Sequence, residues 1–298
     1  MRIRIGSRGS ALALWQAGHV KERLETLGHE VEVRAIVTTG DRLTDRRLDI
    51  VGGKGAFLKE IEEAMLAGTV DLAVHSLKDV PVALPAGLAL CATLERADPR
   101  DALLSSGGAG IHDLPRGARI GTTSLRRRCQ LMALRPDLAV EDLRGNVDTR
   151  IRRLREGHYD AIVLALAGLT RLGRQAEVAE VLDVDVLLPA PGQGAIVLEC
   201  RAEDTATASA VAPLDHAPTG GAVAAERAFL AVLGGGCNVP LGAHAFWDGD
   251  VLQLAGLVGD PDGRTVIRGA GRGTDPRALG RSVAEDLRAR GAADLLGP

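Results

Sequence analysis

The first segment equipped for chemistry is His75-Ser76-Leu77-Lys78-Asp79-Val80-Pro81, which follows the apolar residues Leu72-Ala73-Val74 of a strand-like run over 70–75. It stands where a strand would end, and open α/β sheets bind ligands at the carboxyl ends of their strands. Pro81 biases Val80 toward an extended conformation. A carboxylate at Asp79 could hold a cationic intermediate or move a proton, or it could cap a turn; the segment alone leaves both readings open. A second segment, Gly121-Thr122-Thr123-Ser124-Leu125-Arg126-Arg127-Arg128, places small hydroxyl residues and arginines at a helix start. Free N–H groups and the helix dipole attract anions there, and guanidinium forks match carboxylates or phosphates. Leu143-Arg144-Gly145-Asn146-Val147-Asp148-Thr149-Arg150 repeats the arrangement, and two in succession favour a polyanion site over solvated helix faces.

Two more segments carry glycines. In Leu233-Gly234-Gly235-Gly236-Cys237-Asn238-Val239-Pro240 three glycines clear space beside a thiol, which suits a nucleophile or an attachment point. No histidine is near in sequence, so a Cys–His hydrolase is not supported. The stretch Gly52-Gly53-Lys54-Gly55-Ala56-Phe57-Leu58-Lys59 lacks the order of a phosphate loop and reads as a flap running into a helix. Gly192-Gln193-Gly194, behind Pro189 and Pro191, reads as a hinge or a backbone-binding turn.

Charge is unevenly spread. The chain has a formal net charge of −3, yet residues 119–155 hold ten Arg and four acids, a local excess of +6. A basic field on an acidic chain points to a discrete anionic ligand rather than to a nucleic-acid coat. Aromatic residues make up only 2%, too few for the stacking surfaces of single-strand binders. No run of 18 apolar residues exists and the opening residues lack an apolar signal core, so no membrane association and a cytoplasmic location are expected. Cys91, Cys129, Cys200 and Cys237 lie far apart with no C-x-x-C pair, so neither a metal site nor a disulfide framework is expected. Buried small hydrophobes are the plain reading for the first three.

These segments need elements to position them. Up to about residue 200, strand-like runs alternate with helical patterns, the signature of an α/β fold with largely parallel sheets. Strands are expected over 2–6, 31–37, 70–75, 118–121, 139–143, 159–166 and 195–200. Ser10 is placed to cap a helix running to about 27, with Leu12, Trp15, His19, Leu24 and Leu27 on its apolar side. Further helices are expected over 57–66, after Ser124, and around 148–156. Beyond 214 the pattern changes to a helix over 221–233, a hairpin over 251–258 and 264–269, and a closing helix over 276–290.

Together the motifs resemble the porphobilinogen deaminase family over essentially the whole chain, from Ser7-Arg8-Gly9-Ser10 through VGGKGAFLKE, AVHSLKDVP, GTTSLRRRCQL, LRGNVDTR and PGQGA to GGGCNVPLGAHA. The resemblance implies two periplasmic-binding-protein-like α/β lobes plus a small α+β C-terminal domain. The implied boundaries are 1–95 with 195–213, then 96–194, then 214–298. It implies head-to-tail condensation of four porphobilinogens with loss of ammonia, then release of hydroxymethylbilane by water, by a transferase of heme and tetrapyrrole biosynthesis. Cys237 would carry a covalent dipyrromethane cofactor through a thioether. Asp79 would be the catalytic aspartate, facing the azafulvenium cation left when ammonia departs. Each pyrrole bears an acetate and a propionate, so cofactor and four added rings present twelve carboxylates, which suits the basic segment.

By the same resemblance Arg8, Lys78, Arg126, Arg127, Arg144, Arg150 and Arg171 match carboxylate-binding positions. Ser10, Ser76, Thr123, Ser124, Gly145 and Gln193 match hydrogen-bonding ones. Residues 42–56 match an active-site flap, with Lys54, Phe57 and Lys59 on or beside it. Ile50, where some bacterial relatives carry a lysine, and Asn238, where Gln is frequent, depart from the pattern. A monomer acting on a small-molecule substrate is expected, with no metal and no nucleic acid. The competing reading, a two-lobed anion-binding protein without catalysis, leaves the Gly-Gly-Gly-Cys turn and the third domain unexplained.

Overall fold

The computed structural model describes residues 1–39, 58–234 and 239–296. Residues 42–56 of the expected flap, including Ile50 and Lys54, lie outside the described residues, as do Phe57, Cys237 and Asn238. The chain divides into two compact units, 1–97 with 195–220 and 98–194 with 221–298.

The first unit is built on β1 (Arg2–Arg8), β2 (Glu30–Ile36), β3 (Leu72–Ser76), β4 (Leu88–Thr93) and, much later in the chain, β10 (Ile196–Arg201), in the order β2-β1-β3-β10-β4. β1 runs parallel to β2 and β3, whereas β10 is antiparallel to both its neighbours, β3 and β4. Ile3, Ile5, Leu72, Val74, Leu198 and Val20 of helix Ala11–Thr26 form the core on one face. Ile61 and Met65 of helix Lys59–Leu66 pack with Val70 and Ala73 in a second cluster.

Ser10 caps the first helix by accepting the Ala13 N–H. The buried side of that helix is Gln16, Ala17, Val20 and Leu24, which keeps Leu24 of the expected face and corrects the rest. Trp15 and Leu27 are 40% and 44% exposed. Counting bulky side chains misplaced the stripe because a small residue, Ala17, and a polar one, Gln16, lie against the sheet; Gln16 is buried at 3% because its amide has a partner in Ser76.

The second unit repeats the arrangement. Its strands are β5 (Asp101–Ser105), β6 (Arg119–Gly121), β7 (Ala139–Glu141), β8 (Ala161–Ala165) and β9 (Glu180–Leu182), ordered β7-β6-β8-β5-β9. Here β5 is the reversed strand, antiparallel to β8 and β9. The expected strand over 159–166 is shorter, because residue 166 already starts helix Leu166–Arg171. Leu103, Ile120 and Val163 fill one face, and Leu104, Leu143 and Ile162 the other.

The C-terminal part is an antiparallel meander of β11 (Leu241–Asp248), β12 (Val251–Gly259) and β13 (Val266–Gly273), with helices Ala217–Val232 and Pro276–Leu287. Phe229, Leu254, Val283 and Leu287 share its core. β11 has no counterpart among the expected strands. The β12–β13 turn lies against helix Leu125–Leu134: Gly263 has φ +70, and a Cβ there would sit 2.5 Å from the Cys129 carbonyl oxygen and the Ala133 nitrogen. Only a residue without a side chain permits that approach. Cys129, Leu188 and Leu257 form an apolar cluster at the same place, so the sheet backs the helix that carries Arg126 and Arg127.

Candidate active site

In the first unit, β3 ends at Ser76 and passes into a single helical turn, Leu77–Asp79. The Leu77 N–H donates to the Ala195 carbonyl and the Val80 N–H to the Leu77 carbonyl. The Ser76 hydroxyl accepts from the Gln16 amide at 2.8 Å. Asp79 is exposed, and among the described residues no group binds its carboxylate. The turn closes through these backbone bonds, and no side chain caps it. Lys78 and Arg8 are half-buried. Lys59, at the start of its helix, is 72% exposed and pairs loosely with Glu63.

In the second unit, Ser124 caps helix Leu125–Leu134 by accepting the Arg127 N–H, and Thr123 donates its hydroxyl to the Leu143 carbonyl. Arg126 and Arg127 do not point into solvent; they are 4% and 5% exposed. Both reach Asp101, itself 0% exposed, at 2.8 Å from Arg126 Nη1 and 2.6 Å from Arg127 Nη2. Gln193 joins them, its amide donating to Asp101 at 3.0 Å and to the Pro99 carbonyl at 2.7 Å. Burial would raise the Asp101 carboxyl, but the two guanidiniums override it and hold the group well below the usual carboxylate range. Burial in turn lowers Arg126 from its ordinary value, against the pull of Asp101.

Two cations on one anion leave one positive charge in excess. Arg128, next along, is one-third exposed, donates to the Val140 carbonyl and lies 3.7 Å from Asp262. Asn146 caps helix Val147–Arg155 by accepting the Thr149 N–H, and Arg150 donates to the Gly145 carbonyl at 2.8 Å. Gly145 has φ +108, and a Cβ there would sit 2.8 Å from Thr149 Cγ2, so a side chain would block both the backbone turn and that space. Arg144 is half-buried on the same loop. Arg171 donates to the Gly194 carbonyl at 2.7 Å, and desolvation lowers it to about 10.

The second unit therefore brings Arg126, Arg127 and Gln193 onto one buried carboxylate. Arg144, Gly145 and Arg150 share a separate loop and helix start. Asp101 was missed by sequence reasoning, although its place two residues after Pro99, opening a strand in an arginine-rich lobe, was a usable signal. Gln16 carried none, since a polar residue on a helix face usually marks solvent.

A covalent pyrrole cofactor bearing carboxylates needs a cationic donor set, and this structure offers one. Among the described residues the ion pairs of Arg126 and Arg127 both go to the one carboxylate of Asp101, and buried Arg126 Nε has no hydrogen-bond partner. Among those residues no group of three or more His, Cys, Asp or Glu could hold a metal. The residues fit the acid-bearing group.

Two family models match the chain: "Porphobilinogen deaminase, dipyromethane cofactor binding domain" over residues 3–209 and "Porphobilinogen deaminase, C-terminal domain" over 221–289. The chain belongs to the porphobilinogen deaminase family. It is 53% identical to the porphobilinogen deaminase of Roseiflexus castenholzii, over 99% of this chain and 98% of the relative. It is 49% identical to that of Brevibacillus brevis, over 98% and 96%. Among solved structures, the VFT2 domain of Bordetella pertussis BvgS aligns with a TM-score of 0.42 and 14% identity, over 70% of this chain and 84% of that one.

Proposed function

We propose that this chain is a transferase that condenses four porphobilinogen molecules head to tail, with loss of ammonia, and then releases hydroxymethylbilane by hydrolysis. Beside family membership, the observation that carries the reading is the Asp79 carboxylate: exposed at a strand end, on a turn closed by other groups. Loss of ammonia from an electron-rich pyrrole leaves a cation, and a fixed anion beside the ring nitrogen stabilises that charge as it develops. Asp79 supplies the anion without spending it on a structural bond. Lys78 and Arg8 bind acetate and propionate groups of the incoming substrate, with Ser10 and Ser76 at their side.

Arg126, Arg127, Arg144, Arg150 and Arg171 hold the carboxylates of the dipyrromethane cofactor and the growing chain, with Thr123, Ser124, Gly145 and Gln193 as hydrogen-bonding neighbours. The cofactor, attached through Cys237, supplies the electron-rich pyrrole carbon to which substrate is added. Because Arg126 and Arg127 share one carboxylate, their positions are set before any ligand arrives, and orientation is part of the rate. A cytoplasmic monomer completes the proposal; among the described residues no helix is long and apolar enough to cross a membrane.

Intact mass tests the proposal most directly. Purified protein should exceed its sequence mass by two linked pyrroles, and the excess should survive denaturation in dithiothreitol, because thioethers resist thiol reductants. Cys237→Ser should lack both the excess and the activity, since a hydroxyl is a far poorer nucleophile. Asp79→Asn should keep its thermal stability and lose on the order of a thousandfold in rate. An unmodified wild-type mass with full activity, or near-normal turnover in Asp79→Asn, would overturn the assignment.

A further inference from the structure

A fully buried glutamate needs a physical reason. Glu199 on β10 is 0% exposed, and its Oε2 lies 3.0 Å from Nε2 of His75 on β3, which is 7% exposed. His75 stands opposite Val197 and Glu199 opposite Ala73, so the two side chains share one face and reach diagonally across the strand pair. Glu62 of helix Lys59–Leu66 packs on the same unit at 9% exposure. Its carboxyl is raised by burial and by the Glu199 charge, while His75 pulls it the other way. The proposed reaction uses none of these three groups.

Such a cluster is a weak source of stability. Two ionisable groups taken out of water lose solvation, and an apolar pair of similar volume often serves the fold as well or better. What distinguishes this pair is its place. His75 immediately precedes the turn that presents Asp79, and two of the three residues between them are held from elsewhere in the unit: Ser76 by Gln16, Leu77 by the Ala195 carbonyl. The imidazole fixed by Glu199 is the first member of that series.

We propose that His75 and Glu199 are positioning residues for catalysis: Glu199 fixes the imidazole, and the cross-strand pair fixes the direction in which the following turn presents Asp79. The inference rests on the catalytic reading of Asp79. A misplacement of a reacting group by about 1 Å costs up to about a hundredfold in rate, so an effect on turnover is expected without one on substrate affinity.

The test compares two double variants in the cofactor-bearing enzyme. His75→Leu with Glu199→Met removes both polar groups, leaves neither unpaired, and should fold and load with cofactor normally by melting temperature and intact mass. Its kcat per loaded molecule should fall about ten- to a hundredfold, with KM within about twofold. His75→Gln with Glu199→Gln keeps a cross-strand hydrogen bond between amides and should recover kcat to within about threefold of wild type, because the bond rather than the charge does the positioning.

An apolar pair that turns over normally overturns the proposal, and so does one that fails to fold, since the pair would then hold the lobe together rather than aim the turn. An amide pair as slow as the apolar one overturns it too. Asp79→Asn, assayed alongside, separates the two levels of the argument. Near-normal turnover in that variant removes the catalytic reading itself, whereas a large loss there beside normal double variants removes only the positioning role.

Discussion

Replacing Asp101 by asparagine isolates the charge balance of the buried arginine cluster. The amide keeps the carboxylate's shape and leaves an oxygen for Gln193, but Arg126 and Arg127, at 4% and 5% exposure, lose their shared counter-charge. Removing one partner of a buried ion pair costs about 3–5 kcal/mol. A unit of this size shifts by about 2–4 °C per kcal/mol, so the melting temperature should fall by about 6–20 °C. The cluster's excess charge rises from one to two, and under the proposed binding role cofactor carboxylates would offset it. The gap between Asp101→Asn and its parent should therefore be narrower in loaded protein than in a Cys237→Ser background, which under the proposed attachment would not load. Differential scanning calorimetry measures the gap and intact mass establishes loading. A melting temperature unchanged to within about 1 °C would refute the dependence of the arginines on Asp101. A gap indifferent to loading would refute their role in holding the cofactor.

Two further outcomes follow from the titrating groups. The Asp71 carboxyl is lowered to about 2, first by its hydrogen bonds from the Arg4 guanidinium, with Arg201 adding to them. A depressed folded value stabilises above the unfolded value and is lost as pH falls through the folded one, so about 2 kcal/mol should disappear between roughly pH 4 and 2. Urea midpoints over pH 2–6 should show this fall in the wild type and a shallower one in Asp71→Asn; identical profiles would count against it. Burial pushes the Cys129 thiol up to about 12, so native protein at about pH 8 should resist alkylation there and unfolded protein should react. Peptide mass mapping reads the difference, and rapid native labelling of Cys129 would contradict it.

The elements that carry the chemistry were legible because capping and periodicity act locally. Ser10, Ser124 and the start of the basic helices follow from one or two residues each. β4, β5 and β9 were not foreseen: they are short, and their neighbours are strands distant in sequence, so pairing rather than local pattern makes them strands. Asp79 could be named but its alternative could not be dismissed, since whether a carboxylate caps a turn depends on which backbone groups face it. Arg126 and Arg127 read as ligands waiting at a helix start. Their link to Asp101 spans some 26 residues of sequence and only folding reveals it.

The reversed strand β10 has a consequence for how the polypeptide is made. It fills the place between β3 and β4 but is encoded about a hundred residues after them. A ribosome that has emitted the first 97 residues has therefore delivered a sheet with a slot in it, flanked on both sides by unpaired strand edges. Those edges are templates for pairing with any other extended chain until the second lobe has been synthesised and residues 196–201 emerge. Truncation anywhere before β10 thus removes the middle of the first unit rather than its end, and the nascent N-terminal segment is the stretch with most to gain from a chaperone's cover.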